Sequence, residues 1–169
     1  NFIEPGDRVV IGVNGLFGQR MCDIAARCGA EVIAVEAPWG EPVDPEAMRR
    51  AARDGAAIIA LVHAETSTGV VTPLEPFAAI ARERDALLLV DCVTSLGGMP
   101  VELDRHGVDL AYSGTQKCLS CPPGLAPVSV SARAWERLRR RRRPVASWYL
   151  DLTMIGQYWA EGSGGRFYH

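Results

Sequence analysis

At 169 residues the chain is long enough for one domain with a sizeable core, or for part of a larger protein. With 48% hydrophobic and 22% charged residues it is typical of soluble globular proteins, and no apolar run approaches the roughly 18 residues of a membrane span. Because the formal net charge is only −2, we expect no general attraction to nucleic acid or to an anionic membrane.

The first 90 residues alternate apolar runs, typical of strands buried on both faces, with stretches of helical periodicity. Strands are predicted over 8–13, 31–36, 57–63 and 87–90. Helices are predicted to begin after Asn14-Gly15, after the Asp44 N-cap and at the Thr72–Glu75 capping box, and the last two to run to about Asp54 and through Arg84. Strands alternating with helices imply a mostly parallel sheet with right-handed crossovers, which is a three-layer α/β/α domain.

The second half continues the pattern and then loses it. Strands are predicted over 108–112 and 127–131, followed by a helix over 132–142. That helix ends in the run 139–143, which is all arginine; we interpret it as a cationic helix end rather than a nucleic-acid site. From Ser147 onward the chain is rich in aromatic residues and glycine, with no evident core strand. No repeat or linker divides the chain, so we predict a single domain.

Two side chains in this framework are candidates for chemistry. Asp91 directly follows the apolar run 87–90, and open α/β sheets bind their ligands outside the carboxyl ends of their strands. Lys117 follows the strand 108–112 and a short polar stretch, which makes it a candidate amine nucleophile. Pyridoxal phosphate requires a lysine for its Schiff base and an aspartate beside its ring nitrogen. Such a pair occurs in many α/β domains, so position alone does not establish this cofactor.

The residues of three motifs are more specific evidence than the positions of Asp91 and Lys117. Ser113-Gly114-Thr115-Gln116-Lys117, followed by Pro122-Pro123-Gly124, resembles the lysine motif of the class V aminotransferases, in particular the alanine-glyoxylate and serine-glyoxylate branch. The segment 90–98 (VDCVTSLGG) is similar to the aspartate motif of that branch. The segment 64–69 (AETSTG) is similar to a third motif, with Ala64 in place of a glycine and Thr66 in place of a serine. The resemblance covers nearly the whole chain and implies the large domain of a fold type I enzyme that depends on pyridoxal 5'-phosphate.

The resemblance also implies roles for individual residues. Lys117 and Asp91 are the catalytic pair that it implies, and no metal is implied. The implied cofactor-binding residues are Phe17, Thr66, Asp91, Val93, Gln116, Lys117 and Tyr168. Phe17 stands where many members carry tryptophan and would stack on the pyridine ring, while Val93 would pack on the opposite face. Tyr168 would reach the cofactor phosphate of a neighbouring subunit, so a homodimer with shared sites is expected. Without the resemblance, Phe17 suits a core position, and Tyr168 suits an interface or surface position as well as it suits a site position.

By resemblance the function is transfer of the amino group of alanine or serine to glyoxylate or pyruvate, through an aldimine at Lys117. We find no match for the family's substrate-binding arginine or for its upstream phosphate-binding turn. We therefore interpret residues 1–169 as the central part of the large domain, without its flanks, and such a fragment need not be active alone. One alternative is a lyase or desulfurase of the same class, whose members usually carry histidine where this chain has Gln116. The other is a truncated interaction module, which would need neither Asp91 nor Lys117.

The chain has five cysteines, an odd number without the pattern of a small secreted domain. We therefore expect reduced thiols and a cytoplasmic location, although the start at Asn1 leaves an organellar targeting segment open. Cys118 and Cys121 form a CxxC motif, which suits a redox pair or half of a zinc site. No second CxxC or histidine pair supports zinc, so small buried packing thiols are the preferred interpretation.

Overall fold

A computed structural model describes residues 1–159 of the chain and contains fourteen helices and strands in those residues. The strands are β1 (Arg8–Val13), β2 (Glu31–Glu36), β3 (Ile58–Val62), β4 (Ala64–Glu65), β5 (Val70–Val71), β6 (Leu87–Asp91), β7 (Leu110–Tyr112) and β8 (Val128–Val130). The helices are α1 (Leu16–Arg27), α2 (Pro45–Ala51), α3 (Glu75–Glu83), α4 (Leu103–His106), α5 (Ala132–Arg139) and α6 (Leu152–Trp159). In the described part of the chain, no helix combines the length and the apolar character needed to cross a bilayer.

The central sheet has six strands in the order β2-β1-β3-β6-β7-β8. All neighbouring pairs are parallel except β7 and β8, which confirms the mostly parallel sheet. From β1 the chain moves outward to β2 and then returns to the opposite side as β3, so β1 and β3 flank the point where the strand order reverses. Ligands of open α/β sheets bind at such a point, outside the carboxyl ends of the strands.

Helices cover both faces of the sheet, which confirms the three-layer architecture. Neighbouring residues along β3 face opposite layers: Ile58 and Ala60 pack with Met21 and Ala25 of α1, whereas Ile59 and Leu61 belong to the other layer. That second layer is filled by Met48 of α2 and by Phe77, Ala78, Ile80 and Ala81 of α3. Because both faces of the strand are buried, the apolar runs are continuous rather than alternating.

Several predicted boundaries differ from the observed ones. The strand predicted over 57–63 is β3, 58–62, and the strand predicted over 108–112 is β7, 110–112. The helices predicted to reach about residue 54 and residue 142 end at Ala51 and Arg139.

The predicted capping box at Thr72–Glu75 is wrong. Helix α3 begins at Glu75 without a side-chain cap, and the Thr72 hydroxyl is buried with no hydrogen-bond partner in residues 1–159. Helix α6 was missed, although Asp151 accepts a hydrogen bond from the backbone N–H of Thr153 at 2.9 Å at its start.

The arginines at the end of α5 have a structural role beyond a cationic helix terminus. Arg137 donates to the Asp7 carboxylate at 2.6 Å and to the Phe2 carbonyl at 3.1 Å. Arg141 donates to the carbonyls of Asn1 and Ile3, each at 2.7 Å. These guanidinium groups therefore hold the N-terminal segment against α5, because each carries several donors in a fixed geometry.

Candidate functional site

Four loops meet at the carboxyl ends of the parallel strands. They follow β1, β3, β6 and β7, and they contain the predicted site residues 66, 93, 116 and 117. Residue 17 lies in the first turn of the helix that follows β1, and residue 91 is the last residue of β6. Parallel pairing in register places Val62 beside Asp91 and Asp91 beside Tyr112, so the strands end at the same edge of the sheet. The structure thus brings together six of the seven predicted site residues. Tyr168 lies outside the described residues.

Asp91 is a buried carboxylate, with 5% of its surface exposed. Its Oδ1 accepts a hydrogen bond from the backbone N–H of Val93 and its Oδ2 accepts one from the Tyr112 hydroxyl, both at 2.8 Å. Burial raises the pKa of Asp91, and these two hydrogen bonds oppose that shift only in part. In residues 1–159, no cation forms a hydrogen bond or an ion pair with Asp91, so its charge is incompletely compensated.

Tyr112 is a site residue that no sequence motif indicated. Burial, followed by the negative charge of Asp91, raises the pKa of Tyr112 far above its ordinary value, so its hydroxyl keeps its proton and donates to the carboxylate. Tyr112 ends the strand that pairs directly with the Asp91 strand. Finding it requires knowing which strands are neighbours and in what register.

Lys117 lies exposed on the loop that follows β7. The loop is held by its backbone and by Thr115, whose hydroxyl donates to the Pro122 carbonyl at 2.7 Å while its carbonyl accepts from the Cys121 N–H at 3.0 Å. Within residues 1–159 the Lys117 ammonium has neither a hydrogen-bond nor an ion-pair partner. Lys117 is also the only lysine among the 169 residues, so any lysine chemistry of this chain must use it.

Two threonines and a cysteine join the loops to one another. The Thr94 hydroxyl donates to the Ala64 carbonyl at 2.6 Å, and the Thr66 hydroxyl donates to Thr94 Oγ at 3.3 Å. Cys118 donates through its thiol to the Thr94 carbonyl at 3.2 Å. The loop of Asp91 therefore contacts both the loop of Thr66 and the loop of Lys117, which sets the relative positions of three predicted site residues.

Phe17 lies in the first turn of α1 and is half-buried. Part of its ring packs on the core layer between α1 and the sheet, so the core position and the site position are compatible. The Arg20 guanidinium carbon lies 4.8 Å from the centroid of the ring, in a cation–π contact. Arg20 is close enough to Asp91 to lower the pKa of that carboxyl slightly, although burial is the dominant influence and raises it.

The remaining predicted residues occupy the same edge of the sheet. Val93 is half-buried beside Asp91, and Gln116 is exposed with its side chain next to Gly114. Asn14, which no motif indicated, has both polar atoms of its side chain buried without a hydrogen-bond partner in residues 1–159. The cofactor contacts assigned to Val93, Gln116 and Thr66 stay predictions.

The preferred interpretation of the CxxC motif is wrong. Cys118 and Cys121 are both exposed rather than buried. Cys92 is the buried thiol, and burial raises its pKa to about 11. In residues 1–159, no group of three or more His, Cys, Asp or Glu side chains is placed to hold a metal ion.

Gly18 allows α1 to approach the end of β1 closely. A Cβ at this position would lie 2.9 Å from the Val13 Cα and 3.0 Å from the Gly12 carbonyl oxygen, which are backbone atoms with little freedom to move. Alanine would gain about 1 kcal/mol in helix propensity but cost up to about 3 kcal/mol in overpacking. We therefore expect Gly18→Ala to lower the free energy of unfolding by about 2 kcal/mol, measured by chemical denaturation.

The control for this substitution is Gln19→Ala, which changes the exposed neighbouring position of the same helix and should alter stability by less than about 0.5 kcal/mol. If Gly18→Ala were as stable as the original protein, the contact between α1 and β1 would not be as rigid as the structure indicates.

Comparisons with known proteins agree with the geometry. The family model described as aminotransferase class-V matches residues 1–146. The chain is 39% identical to an alanine–glyoxylate aminotransferase of Callithrix jacchus, over all of the chain and 41% of the relative. It is 38% identical to an (S)-ureidoglycine–glyoxylate transaminase of Bacillus subtilis, over 94% of the chain and 43% of the relative.

A solved structure agrees as well. The crystal structure of an alanine–glyoxylate aminotransferase from Nostoc sp. superposes with a TM-score of 0.94 at 52% identity, covering 99% of this chain and 44% of that one. The chain therefore spans less than half the length of these relatives. Since the family model covers most of the chain and the fold is shared throughout the described residues, this chain belongs to the class-V aminotransferase family.

Proposed function

We propose that the complete protein containing this sequence is an aminotransferase that uses pyridoxal phosphate, and that residues 1–169 are the central part of its cofactor-binding domain. The observation that carries this proposal is the environment of Asp91. A buried carboxylate with no cationic partner in residues 1–159 stands at the edge of the sheet where the chain's only lysine also lies. Such a carboxylate is costly unless a cation binds beside it.

The residues present fit this cofactor. Pyridoxal phosphate, when bound, supplies a protonated pyridine ring that accepts electrons from the reacting amino acid. The ring nitrogen would compensate the Asp91 charge, and each Asp91 oxygen has accepted only one hydrogen bond from the described residues. Phe17 would cover one face of the ring and Val93 the other. Thr66 would lie near the ring hydroxyl and Gln116 toward the phosphate.

Lys117 would have two tasks. Its Nζ would hold the cofactor when no substrate is bound. Once displaced by the amino acid, Lys117 would act as the base that takes the proton from Cα and gives it back later in the amino transfer. The exposed position of Lys117 and its lack of a partner in residues 1–159 leave Nζ free to move between these tasks. Asp91, as an anion, would keep the ring nitrogen protonated throughout.

For substrates we propose a small amino acid, alanine or serine, as donor and glyoxylate or pyruvate as acceptor. Two similar proteins are named for glyoxylate, one with alanine and one with (S)-ureidoglycine as the partner, which favours glyoxylate as acceptor. The donor is less constrained, because the names of these relatives differ in the donor alone.

We also propose a homodimer in which Tyr168 serves the neighbouring site, and a cytoplasmic location. Large apolar side chains that are exposed in residues 1–159, among them Leu125 and Trp159, support an interface with further protein. The free cysteines of the described residues support a reducing compartment.

Reductive trapping tests the proposal. The complete polypeptide is incubated with pyridoxal phosphate, reduced with borohydride, digested and analysed by peptide mass. We expect the phosphopyridoxyl mass on the peptide that contains Lys117, and its loss in Lys117→Arg, which keeps the charge. Because residues 1–169 contain no other lysine, a label elsewhere would lie on the N-terminal amine or outside this segment. Absence of label on Lys117 in the original protein would contradict the proposed function.

A further inference from the structure

Glu65 is a buried carboxylate that the proposed chemistry does not use. It is 1% exposed, yet no cation in residues 1–159 forms an ion pair with it. Burying a charge in this way is unfavourable unless hydrogen-bond donors compensate it. Each of its oxygens accepts two hydrogen bonds, so the carboxylate is compensated entirely by backbone N–H groups and one hydroxyl.

The four donors come from the first turn of α1 and from the loop that follows Glu65. Glu65 Oε2 accepts from the backbone N–H of Phe17 at 3.1 Å and of Gly18 at 3.3 Å. Glu65 Oε1 accepts from the backbone N–H of Ser67 at 3.1 Å and from its hydroxyl at 2.7 Å. Ser67 Oγ in turn accepts from the Leu16 N–H at 2.9 Å. The first three N–H groups of α1, which have no partner within the helix, are thereby bound by the loop that follows β3.

The absence of a side chain at Gly15 leaves space for this contact. A Cβ on Gly15 would lie 2.4 Å from Glu65 Cγ and 2.5 Å from Ser67 Oγ, so a larger residue at the N-cap would displace the carboxylate. The N-cap has no side-chain hydrogen bond of its own, because glycine offers none. An anion at the start of a helix is favourable, since the N–H groups and the helix dipole both attract it. Glu65 therefore caps the N-terminus of α1 in place of the side chain that the N-cap glycine lacks.

The two segments that Glu65 joins, the start of α1 and the loop after β4, carry two of the predicted cofactor contacts. Phe17 is held directly through its own N–H group, and Thr66 lies between Glu65 and Ser67 in the chain. Thr66 is in turn linked through Thr94 to the loop of Asp91. We propose that Glu65 is a positioning residue that fixes Phe17 relative to Thr66 and so prepares the stacking surface before pyridoxal phosphate binds. This inference rests on the proposed function.

The test uses Glu65→Gln in the complete polypeptide. The amide keeps the shape but turns its NH2 toward one of the two pairs of donors, leaving those groups without an acceptor. Glu41→Gln is the matched control, because Glu41 is exposed and its side chain has no hydrogen bond or ion pair in residues 1–159. The first readout is hydrogen exchange of the Leu16, Phe17 and Gly18 amides without cofactor. The second is the dissociation constant and induced circular dichroism of bound pyridoxal phosphate.

We expect these amides to exchange about 10–100-fold faster in Glu65→Gln and the cofactor to bind about 10-fold more weakly with altered circular dichroism, while Glu41→Gln changes neither. Faster exchange with unchanged cofactor binding would reduce Glu65 to a helix cap and overturn the inference, as would unchanged exchange. If Glu65→Gln does not fold, Ser67→Ala decides by the same readouts, since it removes one donor and the Leu16 acceptor but keeps the carboxylate. An original protein that binds no cofactor would overturn the proposed function as well.

Discussion

Lys117→Ala is expected to slow amino transfer by about 10²–10⁴-fold, the usual contribution of a positioned general base. The proposed reaction needs an amine at this place, and residues 1–169 contain no second lysine that could replace it. The measurement is a single-turnover reaction of cofactor-loaded protein with alanine, followed by absorbance. Using one turnover separates proton transfer at Cα from the release of product.

The same variant offers a sharper test of the base. Methylamine should restore part of the rate in Lys117→Ala, because a small amine can occupy the space left by the side chain. Lys117→Arg should gain nothing from methylamine, since its side chain still fills that space and remains protonated. A loss of less than tenfold in Lys117→Ala would show that another group moves the proton.

Asp91→Asn is expected to have opposite effects on activity and on stability. Amino transfer should fall by about 10²–10³-fold, because the neutral amide no longer holds a proton on the ring nitrogen. Without cofactor the variant should unfold less readily, by up to about 1 kcal/mol, because the cost of a buried and incompletely compensated charge is removed. Asparagine can still accept from the Val93 N–H and bind the Tyr112 hydroxyl.

The stability gain of Asp91→Asn should increase as the pH rises. Burial raises the pKa of Asp91 above its ordinary value of 3.8, so the folded protein holds this proton more tightly than the unfolded chain. The resulting stabilisation of the original protein is complete below that ordinary value and is lost as the pH rises through the folded pKa. The advantage of Asp91→Asn should therefore be small near about pH 4 and larger near about pH 7. Chemical denaturation of both cofactor-free proteins at the two pH values measures it, and an advantage that shrinks as the pH rises would contradict the account.

The fold was largely predictable because its signals are local. Continuous apolar runs identified β1, β3 and β6 within one or two residues, since a strand buried on both faces admits few polar side chains. Helix ends were less predictable. The Thr72–Glu75 pattern suits a capping box, but Thr72 is drawn into the core at the end of the loop, where its N–H donates to the His63 carbonyl at 2.8 Å. Tertiary contacts therefore decided that Thr72 is a buried loop residue and not a helix cap.

The sequence by itself determined the order along the chain of the six strands of the central sheet and of helices α1, α2, α3 and α5, as well as the candidate pair Asp91 and Lys117. The residues of its motifs indicated the family. Only the tertiary structure decided which strands are neighbours, and with that the contact of Tyr112 with Asp91 and the capping of α1 by Glu65. The physical reason is the range of the interactions. Periodicity and caps act over a few residues, whereas Glu65 and Gly18 are 47 residues apart and meet only because β1 and β3 lie side by side.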